Sequence, residues 1–363
     1  MTAHPELRHS AGAVRTWLAV VIALVFTMVV VGGVTRLTGS GLSMVEWEPI
    51  MGIVPPLSDA DWDAAFEAYK QYPQYRLTHP DMDLPGFKGI FFWEYVHRVL
   101  GRAIGLAFAL PFFWFLVRGA LEKPLATRLG VALLLGGTQG FVGWLMVKSG
   151  LVDEPRVSHF RLAAHLGLAL TIIGYLGWVL LSLRPQAAGS ALRGPGVPRW
   201  ALAGVTSLLV VQIVYGAFVA GLRAGWGYNS FPRMGERWVA EAVLAMDPWW
   251  QGLLQDHATV QFMHRLLGTV LLASVAWMWL RYRQQARDLL QLRFLHLFFG
   301  LVIVQYALGV YTLVNVVPLV PAVMHQGCAA LVVLALVGIL SRAWQDVPLA
   351  VPAGVMMPRA TSA

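Results

Sequence analysis

Eight apolar stretches, each about as long as a membrane's hydrocarbon core is thick, dictate what this chain can fold into. They run approximately over 17–35, 90–117, 129–147, 162–183, 200–222, 258–280, 294–314 and 322–342. Crossing about 30 Å takes roughly 20 helical residues. In lipid every backbone N–H and C=O must be satisfied within its own segment, so each stretch is expected to be a helix. Composition agrees, with 57% hydrophobic and 13% charged residues over 363 positions, more apolar than a soluble globule. The expected class is all-α integral membrane, with eight transmembrane helices. Only Arg8 and Arg15 precede the first apolar stretch and no small-residue cleavage site follows it, which reads as an uncleaved first helix.

The net charge of +8 forms no basic tract or face, so nucleic acid is not the expected partner. The positive charge sorts with the connections instead. Arg118, Lys123 and Arg128, then Arg184, Arg193 and Arg199, then Arg281, Arg283, Arg287 and Arg293 fill alternate short loops, joined by Arg8, Arg15, Arg342 and Arg359 near the termini. Against them stand only Glu6, Glu122, Asp288 and Asp346. By the positive-inside rule both termini are expected to be cytoplasmic. The long loops at about 36–89 and 223–257 then lie outside. In the first, Ser58 has the character of an N-cap, and Trp62, Phe66 and Tyr69 follow at helical spacing. That stretch is either an interfacial helix or an ordered cap over the bundle.

The chain looks duplicated. Trp93-Glu94-Tyr95-Val96-His97-Arg98-Val99-Leu100-Gly101 is echoed by Val260-Gln261-Phe262-Met263-His264-Arg265-Leu266-Leu267-Gly268, with Gln261 where Glu94 stood. His165 matches His325, and Gln139 with Gly143 matches Gln305 with Gly309. Four spans separate the repeats, so both have one topology, related by an axis along the membrane normal. The expected organisation is a four-helix bundle over 1–183, a cytoplasmic linker over 184–199, a second bundle over 200–342, and a cytoplasmic tail over 343–363. The bundles are expected to be pseudo-symmetric.

His97, His165, His264 and His325 all fall near the outer ends of even-numbered spans, giving each bundle two imidazoles from different helices. A facing pair suits the iron of a haem, one axial nitrogen from each side. Zinc would want three or four ligands, and Cys328 is the single cysteine. Hydrogen-bonded interior histidines are the alternative, which their recurrence at matched positions disfavours. His79, His159 and His257 at loops or span ends, and His4, His9 and His296 near the inner surface, need only surface or interfacial roles. Arg98 and Arg265 each follow a candidate ligand and are placed either to pair haem propionates or to snorkel to headgroups; recurrence beside both histidines favours the first. Glu94, three residues before His97, shares its helix face. It is either a proton-exchanging carboxylate beside the same cavity or an interfacial carboxylate bonded to His97 or Arg98. Gln261 keeps the shape and hydrogen bonding but exchanges no proton, so bundle one is expected to do chemistry and bundle two to hold a permanent cofactor.

At this level of detail the chain resembles the haem A synthase family, from the first span to the last. The resemblance rests on Gly32-Gly33-Val34-Thr35-Arg36-Leu37-Thr38-Gly39-Ser40-Gly41-Leu42-Ser43, on Trp47 with Pro49, and on Glu94-Tyr95-Val96-His97-Arg98. It continues through Gln139-Gly140, Arg161-Leu162-Ala163-Ala164-His165, Ala220-Gly221, Asn229-Ser230-Phe231-Pro232-Arg233-Met234-Gly235, His264-Arg265 and His325-Gln326-Gly327. It implies an oxidoreductase that turns a ring methyl of haem O into the formyl group of haem A for cytochrome oxidase assembly. It also implies His97 and His165 around the substrate haem, Glu94 as catalytic carboxylate, and His264 and His325 as ligands of a resident haem b.

Implied partners are haem O synthase, cytochrome oxidase assembly factors and an electron carrier of unknown identity. The implied location is a cell's inner membrane, or the mitochondrial inner membrane in a eukaryote. The outer loops lack the cysteine pairs of some members, so the chain looks like the cysteine-free branch, and Cys328 reads as packing. A non-catalytic cytochrome b in quinone-linked electron transfer would need the same histidine pairs, but gives no reason for a carboxylate in one bundle alone. A transporter of parallel repeats would place its polar groups at mid-membrane instead.

Overall fold

The computed structural model describes residues 5–45, 54–150, 157–183 and 194–344. Trp47, Pro49, most of the expected linker (184–193) and the tail from 345 lie outside the described residues. The chain is helical, as expected, and among the described residues the only β pairing is an isolated bridge between Met234 and Arg237. Eight helices are long and apolar enough to cross a membrane. They are α1 (Pro5–Leu37), α4 (Leu84–Val117), α5 (Lys123–Gly150), α6 (His159–Ser182), α7 (Arg199–Gly221), α9 (His257–Tyr282), α10 (Leu289–Val314) and α11 (Leu319–Trp344). The short α2 (Asp59–Lys70), α3 (Pro73–Thr78) and α8 (Trp249–Gln255) occupy the two long loops.

Each expected span coincides with one long helix, but three of the helix starts are set by side-chain caps rather than by hydropathy. Helix α4 begins at Leu84 because the Asp83 carboxylate accepts from the Gly86 N–H (2.9 Å). Asp256 caps α9 through Thr259 (2.7 Å), and Asp288 caps α10 through Gln291 (2.8 Å) while pairing with Arg342 of α11. All three polar starts precede the apolar run that hydropathy detects.

Packing sorts the long helices into two sets. Leu18, Phe112, Leu129 and Ile173 bring α1, α4, α5 and α6 around one apolar core. Leu202, Met278, Phe298 and Ile339 bring α7, α9, α10 and α11 around another. The sets meet where α1, α6, α7 and α11 touch. Gly174 and Gly177 of α6 admit Val333, Leu334 and Val337 of α11, and a Cβ at Gly177 would stand 2.9 Å from Leu334; small residues permit such close helix approach in lipid. Gln326 of α11 donates to the Val29 carbonyl of α1 (2.6 Å).

The described part of the first long loop, from residue 54 on, is an ordered cap on α4. Ser58 accepts from the Asp61 N–H, and Asp61 reaches back to the Ser58 N–H, a full capping box for α2. The aromatic face of α2 then packs on α4, with Trp62 5.0 Å from Phe91, Phe66 5.1 Å from Phe87 and Tyr69 5.2 Å from Phe87 between ring centroids. Those rings are spent on α4, so α2 is no freestanding interfacial helix. Ser58→Ala is expected to cost α2 about 1 kcal/mol, seen as roughly fivefold faster amide exchange in its first turn with exchange in α4 unchanged.

Candidate functional site

The site begins with how α1 stops. Gly39 is left-handed (φ 69°); its N–H donates to the Arg36 carbonyl (3.1 Å) and the Ser40 N–H to the Thr35 carbonyl (2.8 Å). This is a Schellman ending, which needs glycine because other residues resist positive φ. The turn it makes carries Ser43 and Met44 over the α4 residue Glu94. There the Ser43 N–H (2.6 Å), the Ser43 hydroxyl (2.7 Å) and the Met44 N–H (2.8 Å) all donate to Glu94 Oε2. Arg98 Nη2 donates to Oε1 (2.7 Å) and to the Met44 carbonyl (2.8 Å). Glu94 is only 2% exposed, and each of these four hydrogen bonds is donated to it.

The second half repeats this geometry with reversed polarity. Gln261, also 2% exposed, donates through Nε2 to the carbonyls of Ala224 and Gly227, each at 2.6 Å. Its Oε1 accepts from Arg265 Nη2 (2.8 Å), and Arg265 also donates to the carbonyls of Tyr228, Ser230 and Arg233. The sequence suggested that glutamine keeps the hydrogen bonding of glutamate. The loops show otherwise: the first presents backbone N–H groups to a carboxylate, and the second presents backbone carbonyls to an amide.

Each of the four expected histidines lies against a glycine of a neighbouring helix. A Cβ at Gly32 would stand 3.3 Å from His97 Nε2. One at Gly143, Gly216 or Gly309 would stand 3.0, 3.1 or 2.9 Å from Cε1 of His165, His264 or His325. The pairing of Gly143 and Gly309 was visible in the repeat. That of Gly32 and Gly216 was missed, although aligning α1 with α7 would have found it. Gln139 and Gln305, the other matched pair, bring their Nε2 to the Nε2 of His165 (3.3 Å) and His325 (3.4 Å).

His264 and His325 line one cavity of about 260 Å³, otherwise mostly apolar, with Gln212, Gln261, Arg265 and Gln305. His325 Nδ1 lies 3.0 Å from the Gln305 carbonyl. As a donor there it makes Nε2 the acceptor nitrogen, the one Gln305 approaches and the one a metal would take. Among the described residues no group of three or more His, Cys, Asp or Glu is placed to hold a bare ion. Paired imidazoles, glycine-backed rings and an apolar cleft fit a planar haem rather than zinc.

His79, His159 and His296 make structural contacts, and His4 lies outside the described residues. His159 packs against Gly221 and the Phe218 ring of α7, and His296 accepts from Trp279 (2.8 Å). His79 lies 2.9 Å from the fully buried Tyr69 hydroxyl, which donates to Gln74 (3.1 Å), which in turn donates to the Gly39 carbonyl (2.7 Å). Burial, then Glu94 and Tyr75, pushes the Tyr69 phenol above its usual value. Burial, then the Arg223 cation, holds the His79 imidazole below its usual value. The His79 contribution is therefore present above the ordinary imidazole value and lost as pH falls below it. Amide exchange over 69–79 is expected to be faster at about pH 5 than at about pH 8, once corrected for intrinsic rates. Cys328 is buried in the second core, as expected.

The comparisons agree with the geometry. A family described as "Cytochrome oxidase assembly protein" matches residues 15–337. The "Heme A synthase" of Bradyrhizobium sp. (strain ORS 278) is 46% identical over 92% of this chain and 91% of its own length. That of Nitrosospira multiformis is 47% identical over 88% and 90%, and that of Rhodopseudomonas palustris (strain BisA53) 46% over 92% and 91%. Matched along nearly its whole transmembrane course, the chain belongs to the haem A synthase family.

Proposed function

We propose that this chain oxidises a ring methyl of haem O to the formyl group of haem A, supplying cytochrome oxidase assembly. It does so as a multi-pass oxidoreductase of the inner membrane with both termini cytoplasmic. The N-terminal half, 1–183, takes the substrate between His97 and His165, while the C-terminal half, 200–342, takes haem b between His264 and His325. Arg98 and Arg265 stand beside the two pairs to meet propionates. The observation that carries this division is the opposite polarity of the shells around Glu94 and Gln261.

Haem b, when bound, supplies one-electron exchange with a carrier. The protein's own residues do the rest. His97 and His165 orient the substrate ring, and the apolar helices exclude water and hold its farnesyl tail. Glu94 lies on the same face of α4 as His97 and accepts protons released as the methyl is oxidised. The Ser43 hydroxyl, 2.7 Å from Glu94 and 3.0 Å from the Ser40 carbonyl, holds the carboxylate in place by donating to it.

Extraction of haems from cells supplied with haem O, followed by mass spectrometry, tests the reaction. A haem A mass that depends on this chain is the expected result. Unchanged haem O with intact haem b spectra would point instead to a non-catalytic cytochrome b. Gly309→Ala, which presses on His325, is expected to shift the visible absorption of bound haem b while the substrate half still binds haem O.

A further inference from the structure

The cavity lined by His264 and His325 is not built from its own half alone. Arg36 and Leu37, at the end of α1 in the other half, also line it, as does Gln326 beside His325. Arg36 is half-buried and makes no ion pair among the described residues. Arg265 lines the same cavity, and its Nε is buried without a hydrogen-bond partner. Among the described residues the lining contains these two guanidinium groups and no carboxylate. A partly buried cation with no anion beside it among the described residues is unfavourable, so a ligand that brings its own anionic groups complements this site. The favourable end of a helix explains a cation in the last turn of α1. It does not explain why that cation lines the other half's cavity.

The same helix touches both sites through adjacent residues. Gly32 backs His97, and Gly33 admits Gln326, whose Nε2 would lie 3.1 Å from a Cβ there. Arg36 lies one turn further on.

We propose that Arg36 is an anion-binding residue of the C-terminal cavity, contributed across the halves to pair a carboxylate of the haem held by His264 and His325. This rests on the assignment of haem b to that cavity. A fixed positive charge near the haem favours its reduced form, so Arg36 raises the haem's potential and ties it to the helix that backs the substrate site. At an effective dielectric of about 20, a unit charge about 10 Å away shifts the reduced-to-oxidised ratio by roughly tenfold.

The test is a redox titration of purified haem b-loaded protein as wild type, Arg36→Gln and Arg36→Lys, with haem content read by absorption. Arg36→Gln is expected to lower the midpoint by about 59 mV, the one-electron equivalent of tenfold. Arg36→Lys, which keeps the charge, is expected to recover most of that shift. An unchanged midpoint in Arg36→Gln, equal shifts in both variants, or loss of haem b from both would overturn the proposal. Failure of the underlying assignment is separately visible, because His264→Ala would then leave the haem b spectrum of otherwise native protein unchanged.

Discussion

Glu94→Gln is expected to abolish haem A output while haem b stays bound. The substitution changes one oxygen to an amide nitrogen, yet the shell around Glu94 offers that nitrogen a single acceptor, the Ser43 hydroxyl, once it turns to the Ser40 carbonyl. Oε2 meets the Ser43 and Met44 N–H groups and the Ser43 hydroxyl, and Oε1 meets Arg98. An amide –NH₂ turned either way faces a donor. Arg98, itself only 10% exposed along its side chain, loses its counter-charge, and breaking a buried pair costs about 3–5 kcal/mol. Loss of the proton acceptor alone accounts for roughly a 10²–10⁴-fold fall in turnover. Mass analysis of extracted haems reads the outcome, and an intact haem b spectrum shows that the fold survives. Haem A at the wild-type level would refute the role given to Glu94. The reciprocal Gln261→Glu sets a carboxylate against the Ala224 and Gly227 carbonyls, and is expected to destabilise the second half without creating a second active site.

His264→Ala is expected to empty the C-terminal cavity of haem b. On the proposed assignment its imidazole is one of the two ligands of the iron, and its ring rests on Gly216, which has no side chain to replace it. Loss of an outer-shell partner alone lowers metal affinity about 10–100-fold, and removing the ligand itself should exceed that. Absorption of the purified variant at matched protein concentration reads the loss. His97→Ala is the control, expected to retain haem b and lose haem A. Full haem b content in His264→Ala would mean that the ligand lies elsewhere.

The eight spans, the helical propensity around Trp62 and the four histidines were legible in the sequence because each signal is local. Apolar run length, 3.6-residue spacing and a repeated His-Arg pair all show without knowledge of what faces them. The shell of Glu94 was not legible. Ser43 and Met44 reach it across 51 and 50 residues of chain, through a turn whose exit direction depends on Gly39. The meaning of the Glu94 to Gln261 exchange was half-visible for the same reason. Residue identity shows that a proton acceptor is lost, but only the apposed loops show that their backbone polarity reverses with it. Arg36 was quoted within a motif and given no role, because a residue in the first span gives no hint that it lines a cavity of the second half.

The bond from Gln326 to the Val29 carbonyl joins residues 297 positions apart, the first long helix to the last. A ribosome delivers α1 to the membrane before any other span and α11 after all the rest. The wall between the two halves is therefore incomplete until synthesis is nearly over, and so is the cavity beside His325. Premature termination anywhere before α11 leaves a chain with at most seven inserted helices and neither Gln326 nor His325. On the proposed assignment haem b loading is thus a late event in biogenesis, and its presence reports that α11 has been inserted.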